Sequence, residues 1–541
     1  MNSPDRPTPA LPGRMQHRAL TVDQFLDFAA QWHGTVTLTH RGVSGERHVT
    51  DYRQLRANAQ RLSAALTAQG VRPGDRIATL AMNHLQHLEA WYGIMGIGAV
   101  CHTVNPRLFR EQLVYILRHA GSRLLLADAA FAELAADLAA QCPAIERVIH
   151  FDDGTALAGA DTYEAFLDTA PQESASWGDF PEEAAAGLCY TSGTTGNPKG
   201  VLYSHRSNYL HALMTLQHGA LNLSATDVVL PVVPMFHANA WGIAFSAPAA
   251  GASLAMPGAR LDGESLTRLI HEEGVTFAAG VPTVWQGLLQ HVARTGETLA
   301  PLRRVLIGGS ACPPAMIRAF EDDHGVEVIH AWGMTETSPV ATLATPTGAT
   351  RRLPEEQQRR QAAKQGRPMF GVDLALADDE GRMLPHDGTT PGHLLVRGPT
   401  VARGYHGAEA DALDANGWFD TGDVATIDAH GFMQITDRSK DLIKSGGEWI
   451  SSIEIENAVM ALGGVACAAV VAMPSERWGE RPLLLVQPTA GTAPDEQAVR
   501  AHLDGRISRW WMPDEIRFVD AIPLGATGKV DKKRIRAELA A

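Results

Sequence analysis

The sequence has few cysteines, no long apolar run and no excess of basic charge, and each shortage removes a class of function. Five cysteines (Cys101, Cys142, Cys189, Cys312, Cys467) lie far apart with no CxxC spacing. That excludes a disulfide scaffold and a cysteine-built zinc site, and it fits a reducing compartment. No stretch approaches the ~18 uninterrupted apolar residues a membrane-spanning helix requires. The opening Met1 to Pro7 has no apolar core of a secretory signal, so a cytoplasmic, soluble protein is expected. Against 46 Lys and Arg stand 60 Asp and Glu, a net charge of −14. This argues against a nucleic-acid partner and against docking on anionic membranes.

What is present is an ordinary globular composition spread over 541 residues, too many for one core. Apolar runs separated by helical stretches, such as Arg76 to Met82, then His84 to Met95, then Ala99 to Val104, read as β-α-β units and predict an α/β class with a parallel sheet. Leu124 to Asp128 and Val305 to Gly309 read as further strands of that kind. The charged stretch from Arg351 to Lys364 reads as a solvated face. From Pro391 onward, alternation suggests a small antiparallel β unit. A boundary near Thr436 to Lys440 precedes a small α+β C-terminal part, with Ser452 expected to cap a helix there.

The stretch Tyr190 to Gly200 combines hydroxyls, glycines and one lysine behind an apolar lead-in. Glycines let the backbone approach an anion, N–H groups converge on it, and Lys199 adds a compact charge. It is not the common P-loop, because Pro198 and Gly200 flank the lysine. Taken alone, it fits a surface loop as well as a phosphate site.

Three later stretches narrow the choice: Trp332 to Thr337, Gly417 to Asp423, and Asp437 to Glu448, with Thr527-Gly528-Lys529 near the end. Together with the first, they resemble the adenylate-forming enzymes over nearly the whole chain and in the same order. Within that superfamily the sequence is most similar to bacterial fatty-acyl-CoA synthetases. The resemblance implies a large N-terminal domain, residues 1–437, of parallel α/β subdomains plus the small β unit. A small mobile C-terminal domain, residues 438–541, would follow.

It further implies ATP, Mg²⁺ and coenzyme A as cofactors and co-substrate, small-molecule partners only, and allows a homodimer. Thr191, Ser192, Gly193, Thr194, Thr195 and Lys199 would hold the triphosphate, and Glu336 beside Thr335 would engage Mg²⁺ together with Thr191. Gly309, Ser310, Ala311, His330, Ala331, Trp332 and Gly333 would enclose the adenine. The family often carries tyrosine at the position of Trp332, a change that keeps stacking but forfeits the phenol hydrogen bond. Asp423 would accept from both ribose hydroxyls, with Arg438 beside it. Lys440 would be the hinge and Lys529 the lysine that stabilises adenylation.

For thioester formation, Lys444, Gly446, Gly447, Glu448 and Trp449 would be turned toward the site, the paired glycines leaving room for pantetheine. No protein nucleophile is needed, which leaves the five cysteines as buried structural thiols. Pro234 to Gly242 and Ala279 to Trp285 mix apolar and small residues as an acyl slot requires, though plain core would read the same way. By resemblance His237 lines or orients the carboxylate, and Trp241 gates the slot. The expected substrate is a medium- or long-chain fatty acid. A short acid such as 3-methylthiopropionate, an enzyme passing its acyl group to a carrier protein, and a silent ligand-binding relative are the rivals.

Overall fold

The structure is a computed structural model describing residues 13–152, 161–191, 197–439, 441–445, 448–489, 494–525 and 530–540. Among the described residues the strands form four sheets. In the six-stranded sheet, Arg147–Phe151, Leu124–Asp128, Arg76–Leu80, Val100–Thr103 and Ala185–Tyr190 run parallel, and Gly200–Ser204 closes the edge antiparallel. Their apolar runs follow from burial on both faces. The helix Leu85–Gly96 is buried from His87 through Gly96, as its lack of a polar face predicts.

The nine-stranded sheet has a parallel centre: Glu327–Gly333, Arg304–Ile307, Phe277–Gly280, Val228–Pro231, Ser253–Met256 and Thr37–Arg41. Antiparallel neighbours flank it at both ends. One continuous core, including Trp91, Phe245, Leu254 and Leu306, joins these two sheets. The small β unit is a four-stranded antiparallel sheet from Asp373–Ala377 to Met433–Arg438.

A five-stranded sheet built on Val465–Ser475 and Gly479–Pro488 forms the small C-terminal domain, with a core of its own around Ile455, Val470 and Leu484. The helix Ser452–Met460 is capped one residue earlier than the sequence suggests: the Ser451 hydroxyl accepts from the Glu454 N–H at 3.2 Å. Ser452 is otherwise engaged, its N–H donating to Asp437 Oδ2 at 2.8 Å and its hydroxyl accepting from Lys532 at 2.5 Å. The charged stretch near 355 is an exposed helix, Glu355–Ala362, with no buried residue. No helix among the described residues is long and apolar enough to cross a membrane.

Inside the Leu85–Gly96 helix, the buried Glu89 carboxyl accepts from Asn58 Nδ2 at 2.8 Å and from the Tyr163 hydroxyl at 3.3 Å. Burial pushes its pKa up to about 8, against the opposing pull of the Asn58 hydrogen bond. The folded chain therefore keeps a proton that the unfolded chain has already lost between the usual carboxyl range and about pH 8. Over that window stability falls as pH rises, by on the order of 1.4 kcal/mol per unit from this group. Glu89→Gln should flatten the fall in melting temperature between about pH 5 and about pH 8 while leaving the slope above that window nearly unchanged. Thermal scans from about pH 5 to about pH 9 check this, and parallel curves for the two proteins would exclude Glu89 as the source.

Candidate active site

The segments singled out in the sequence leave the carboxyl ends of parallel strands, the edge where α/β sheets place their ligands. Gly308 to Ala311 follow Arg304–Ile307, Met334 to Thr337 follow Glu327–Gly333, and Pro234 to Trp241 follow Val228–Pro231. The stretch after Ala185–Tyr190 returns as Gly200–Ser204, with Tyr190 opposite Gly200 and the Thr191 N–H donating to the Lys199 carbonyl at 2.9 Å. The loop therefore closes a hairpin rather than opening a helix, so an anion there would be held by loop amides and Lys199 without a helix terminus. Ser192, Gly193, Thr194 and Thr195 lie outside the described residues, as do Lys440, Gly446, Gly447 and Lys529.

Glu336 is buried, and burial raises its carboxyl above the usual range despite a hydrogen bond from Tyr405 and the charges of Arg438 and Lys199. A buried carboxylate in that state is suited to a cation. Among the described residues no three His, Cys, Asp or Glu side chains could cage a metal ion on their own. That combination fits Mg²⁺, which takes one or two carboxylates and shares the rest of its shell with phosphate and water. Thr335 is held from behind, its carbonyl accepting from the Tyr203 hydroxyl at 2.7 Å.

Asp423 lies opposite Arg438 on neighbouring strands. Its Oδ1 pairs with Arg438 Nε at 2.8 Å, and its Oδ2 accepts from Trp332 Nε1 at 2.9 Å. Each carboxylate oxygen has a second lone-pair sector, so two ribose hydroxyls can add to these partners. The indole thus supplies a hydrogen bond here, a role beyond stacking that the sequence reading did not foresee.

His330 is wholly buried, with Nε2 accepting from the Cys312 N–H at 3.2 Å and Nδ1 at 3.1 Å from the Ala363 carbonyl. Both ring nitrogens are spent on backbone, so the side chain braces the Gly309 to Ala311 loop from behind, and a contact of His330 with adenine would fall to its backbone. Ser310 is exposed, Gly309 and Ala311 half-buried, and Ala331 and Gly333 border the same edge.

On the acyl side His237 is half-buried. It precedes an unusual turn: Ala238, Asn239, Ala240 and Trp241 all have positive φ, from 43° to 55°. Such left-handed backbone costs about 1–2 kcal/mol per residue with a β-carbon. Asn239 helps hold it, its Nδ2 donating to Asn208 Oδ1 at 3.3 Å. The turn sets the Trp241 ring, only 5 % exposed, against the Gly308 loop; a β-carbon added at Gly308 would meet the ring at 3.3 Å. Trp241 therefore stands between the acyl-side segment and the nucleotide-side loop.

The small domain meets the β unit at Trp449. Trp449 packs edge-on to His393 at 6.3 Å, and exposed Lys444 shares its hairpin. Lys532 pairs with Glu456 at 2.9 Å, and Arg536 with Asp441 at 2.7 Å. Burial pulls the Lys532 ammonium down, but the carboxylates of Glu456 and Asp437 outweigh it and raise the pKa. Four cysteines are buried; Cys467 is only half-buried, short of the buried state expected for all five. Burial holds every one of the five thiols above its ordinary pKa, which suits none to nucleophilic work.

One residue that sequence reasoning missed is Tyr405, whose hydroxyl donates to Glu336 Oε1 at 2.8 Å and whose ring lies 4.7 Å from Lys199 Nζ. A Gly-Tyr pair some 70 positions from Glu336 carries no spacing signal of its own.

Residues 25–406 match the family model for AMP-binding enzymes, and residues 454–529 the model for the C-terminal domain of AMP-binding enzymes. Over 97% of this chain the sequence is 47% identical to the 3-methylmercaptopropionyl-CoA ligase of Ruegeria lacuscaerulensis, covering 98% of that protein. It is 44% identical to the medium-chain-fatty-acid–CoA ligase of Ectopseudomonas oleovorans, covering 97% of each chain. The crystal structure of the anthranilate CoA ligase AuaEII with anthranoyl-AMP, 24% identical, superposes with a TM-score of 0.86 over 97% of this chain and 98% of that one, a likeness of fold.

Proposed function

We propose, since the chain belongs to the AMP-binding enzyme family and is an acyl-CoA ligase of it, that it activates an unbranched, mostly apolar carboxylic acid. The carboxylate oxygen attacks the α-phosphorus of ATP and pyrophosphate leaves. The CoA thiolate then attacks the acyl carbonyl, and AMP departs with the bonding electrons. Glu336 and Thr191 would hold Mg²⁺, which supplies charge neutralisation on the phosphates. Asp423, with Arg438 and Trp332, would fix the ribose, and Thr191 to Thr195 with Lys199 the triphosphate. Lys529 would stabilise charge at the α-phosphate, and His237 orient the carboxylate. The small domain, taken as residues 438–541, would turn about Lys440 to bring Lys444, Gly446, Gly447 and Trp449 to the site for the second step.

The observation carrying the choice of acid is the seat of Trp241. With its ring packed at Gly308, Trp241 fills the space between the acyl-side segment and the nucleotide-side loop, which supports a short acid of the 3-methylmercaptopropionate kind over the longer fatty acids the sequence suggested first. The relative at 47% identity, named for that acid, supports the same choice. A medium-chain fatty acid is the second reading, supported by the 44% relative and by the strained turn, whose relaxation would swing the ring aside.

AMP release measured across acids from propionate analogues to palmitate decides between them, and CoA consumption in the same assay separates a CoA ligase from transfer to a carrier protein. Trp241→Ala should move the preferred acid toward longer chains by several carbons, each methylene being worth about 0.8 kcal/mol. An unchanged preference profile would return Trp241 to the core.

A further inference from the structure

The segment from Ala402 to His406 is fastened to both halves of the phosphate site. The Ala402 N–H donates to the Glu336 carbonyl at 2.7 Å, and the His406 N–H to the Gly200 carbonyl at 2.8 Å. Between these two ties stands Tyr405, half-buried and packed edge-on against Phe419 at 6.4 Å. Its hydroxyl reaches the Glu336 carboxylate and its ring face the Lys199 ammonium. Lys199 and Glu336 carry opposite charges and, on the reading above, must serve different parts of one ligand. Left to themselves, a flexible ammonium and a buried carboxylate at this range pair directly and neutralise each other.

We propose that Tyr405 is a positioning residue that keeps Lys199 and Glu336 apart, orienting the carboxylate for the divalent cation through its hydroxyl and presenting the ammonium to the phosphates from its ring. The inference rests on the proposed roles of Glu336 and Lys199. The two jobs use different atoms, so they separate by substitution. Tyr405→Phe keeps the ring and loses the donor. Tyr405→Leu loses both and keeps an apolar side chain toward Phe419.

The test is calorimetric binding of a non-hydrolysable ATP analogue, with Mg²⁺ and with chelator, to the full chain and both variants, with thermal unfolding alongside. In Tyr405→Phe the affinity without metal should match the wild type, while the gain on adding Mg²⁺ falls about tenfold, the worth of a hydrogen bond to a charged group. In Tyr405→Leu the gain should fall likewise, and the metal-free affinity should drop a further two- to fivefold as Lys199 loses its cation–π seat. Equal binding by all three folded proteins, or an equal loss in both variants with and without metal, overturns the proposal while leaving the site reading intact. A wild-type chain that binds no nucleotide overturns both.

Discussion

Lys529→Ala should lower acyl-adenylate formation by about 10²–10³-fold, the cost of removing one donor aimed at developing charge, while thioester formation from supplied acyl-AMP stays within a few-fold of the wild type. The asymmetry follows from the chemistry. The first step gathers negative charge at the α-phosphate as pyrophosphate departs, and in the proposed role the Lys529 ammonium would offset it. The second step releases AMP from a mixed anhydride whose phosphate is already formed, so the same ammonium has little left to do. Three residues on, Lys532 is anchored to Glu456 and Ser452. Substitution at 529 therefore leaves in place the contacts that seat this end of the chain. Rapid-quench measurement of acyl-AMP and separate assay of CoA transfer give the two rates, and an equal loss in both would contradict the division of labour.

The second large effect is expected at Asp423. Replacing it with alanine removes the acceptor shared by Arg438 and the Trp332 indole, leaving a buried N–H without its partner and a guanidinium without its counter-charge. Breaking a buried pair from one side costs about 3–5 kcal/mol; because Arg438 is partly exposed and can turn to water, the lower end of that range applies. That cost falls on folding; the loss of two ribose hydrogen bonds to a charged acceptor should separately raise KM for ATP by about two orders of magnitude, with KM for the acid nearly constant. Trp332→Phe, which keeps the ring but not the N–H, should show a smaller rise of about tenfold. If Trp332→Phe raised KM for ATP as much as Asp423→Ala, the carboxylate would have no role of its own toward the ribose.

Much of this architecture was legible in the residues. The strands at Arg76–Leu80, Val100–Thr103 and Leu124–Asp128 follow from short apolar runs around a helix, because parallel strands buried on both faces leave no alternation to misread. The antiparallel β unit showed itself by the opposite sign, alternation along Gly392–Arg397. The cap of Ser452–Met460 was misplaced by one residue because adjacent serines are equivalent to local rules; the contact with Asp437 that decides between them comes from across the domain boundary.

The same limit applied to His330 and Tyr405. Motif position grouped His330 with the adenine loop but could not show that its ring is engaged by Cys312 and Ala363, the latter 33 residues away. Tyr405 could not be found from spacing, since its partners at 336 and 199 come together only in the fold. Similarly, the indole of Trp332 reads as a stacking ring in one dimension and as a donor only once Asp423 is brought beside it.

The run of left-handed residues from Ala238 to Trp241 limits how this lineage can change its diet. Valine, isoleucine and threonine are the residues least able to adopt that backbone, while glycine, asparagine and aspartate adopt it most readily. Single changes to branched residues are thus disfavoured along this turn. On the proposed acyl reading, new specificities should arise instead around Ala279 to Trp285, where the regular helix Pro282–Thr295 carries no such backbone restriction. Substrate divergence among proteins built like this one would then be written in that helix, with the turn kept nearly constant in composition.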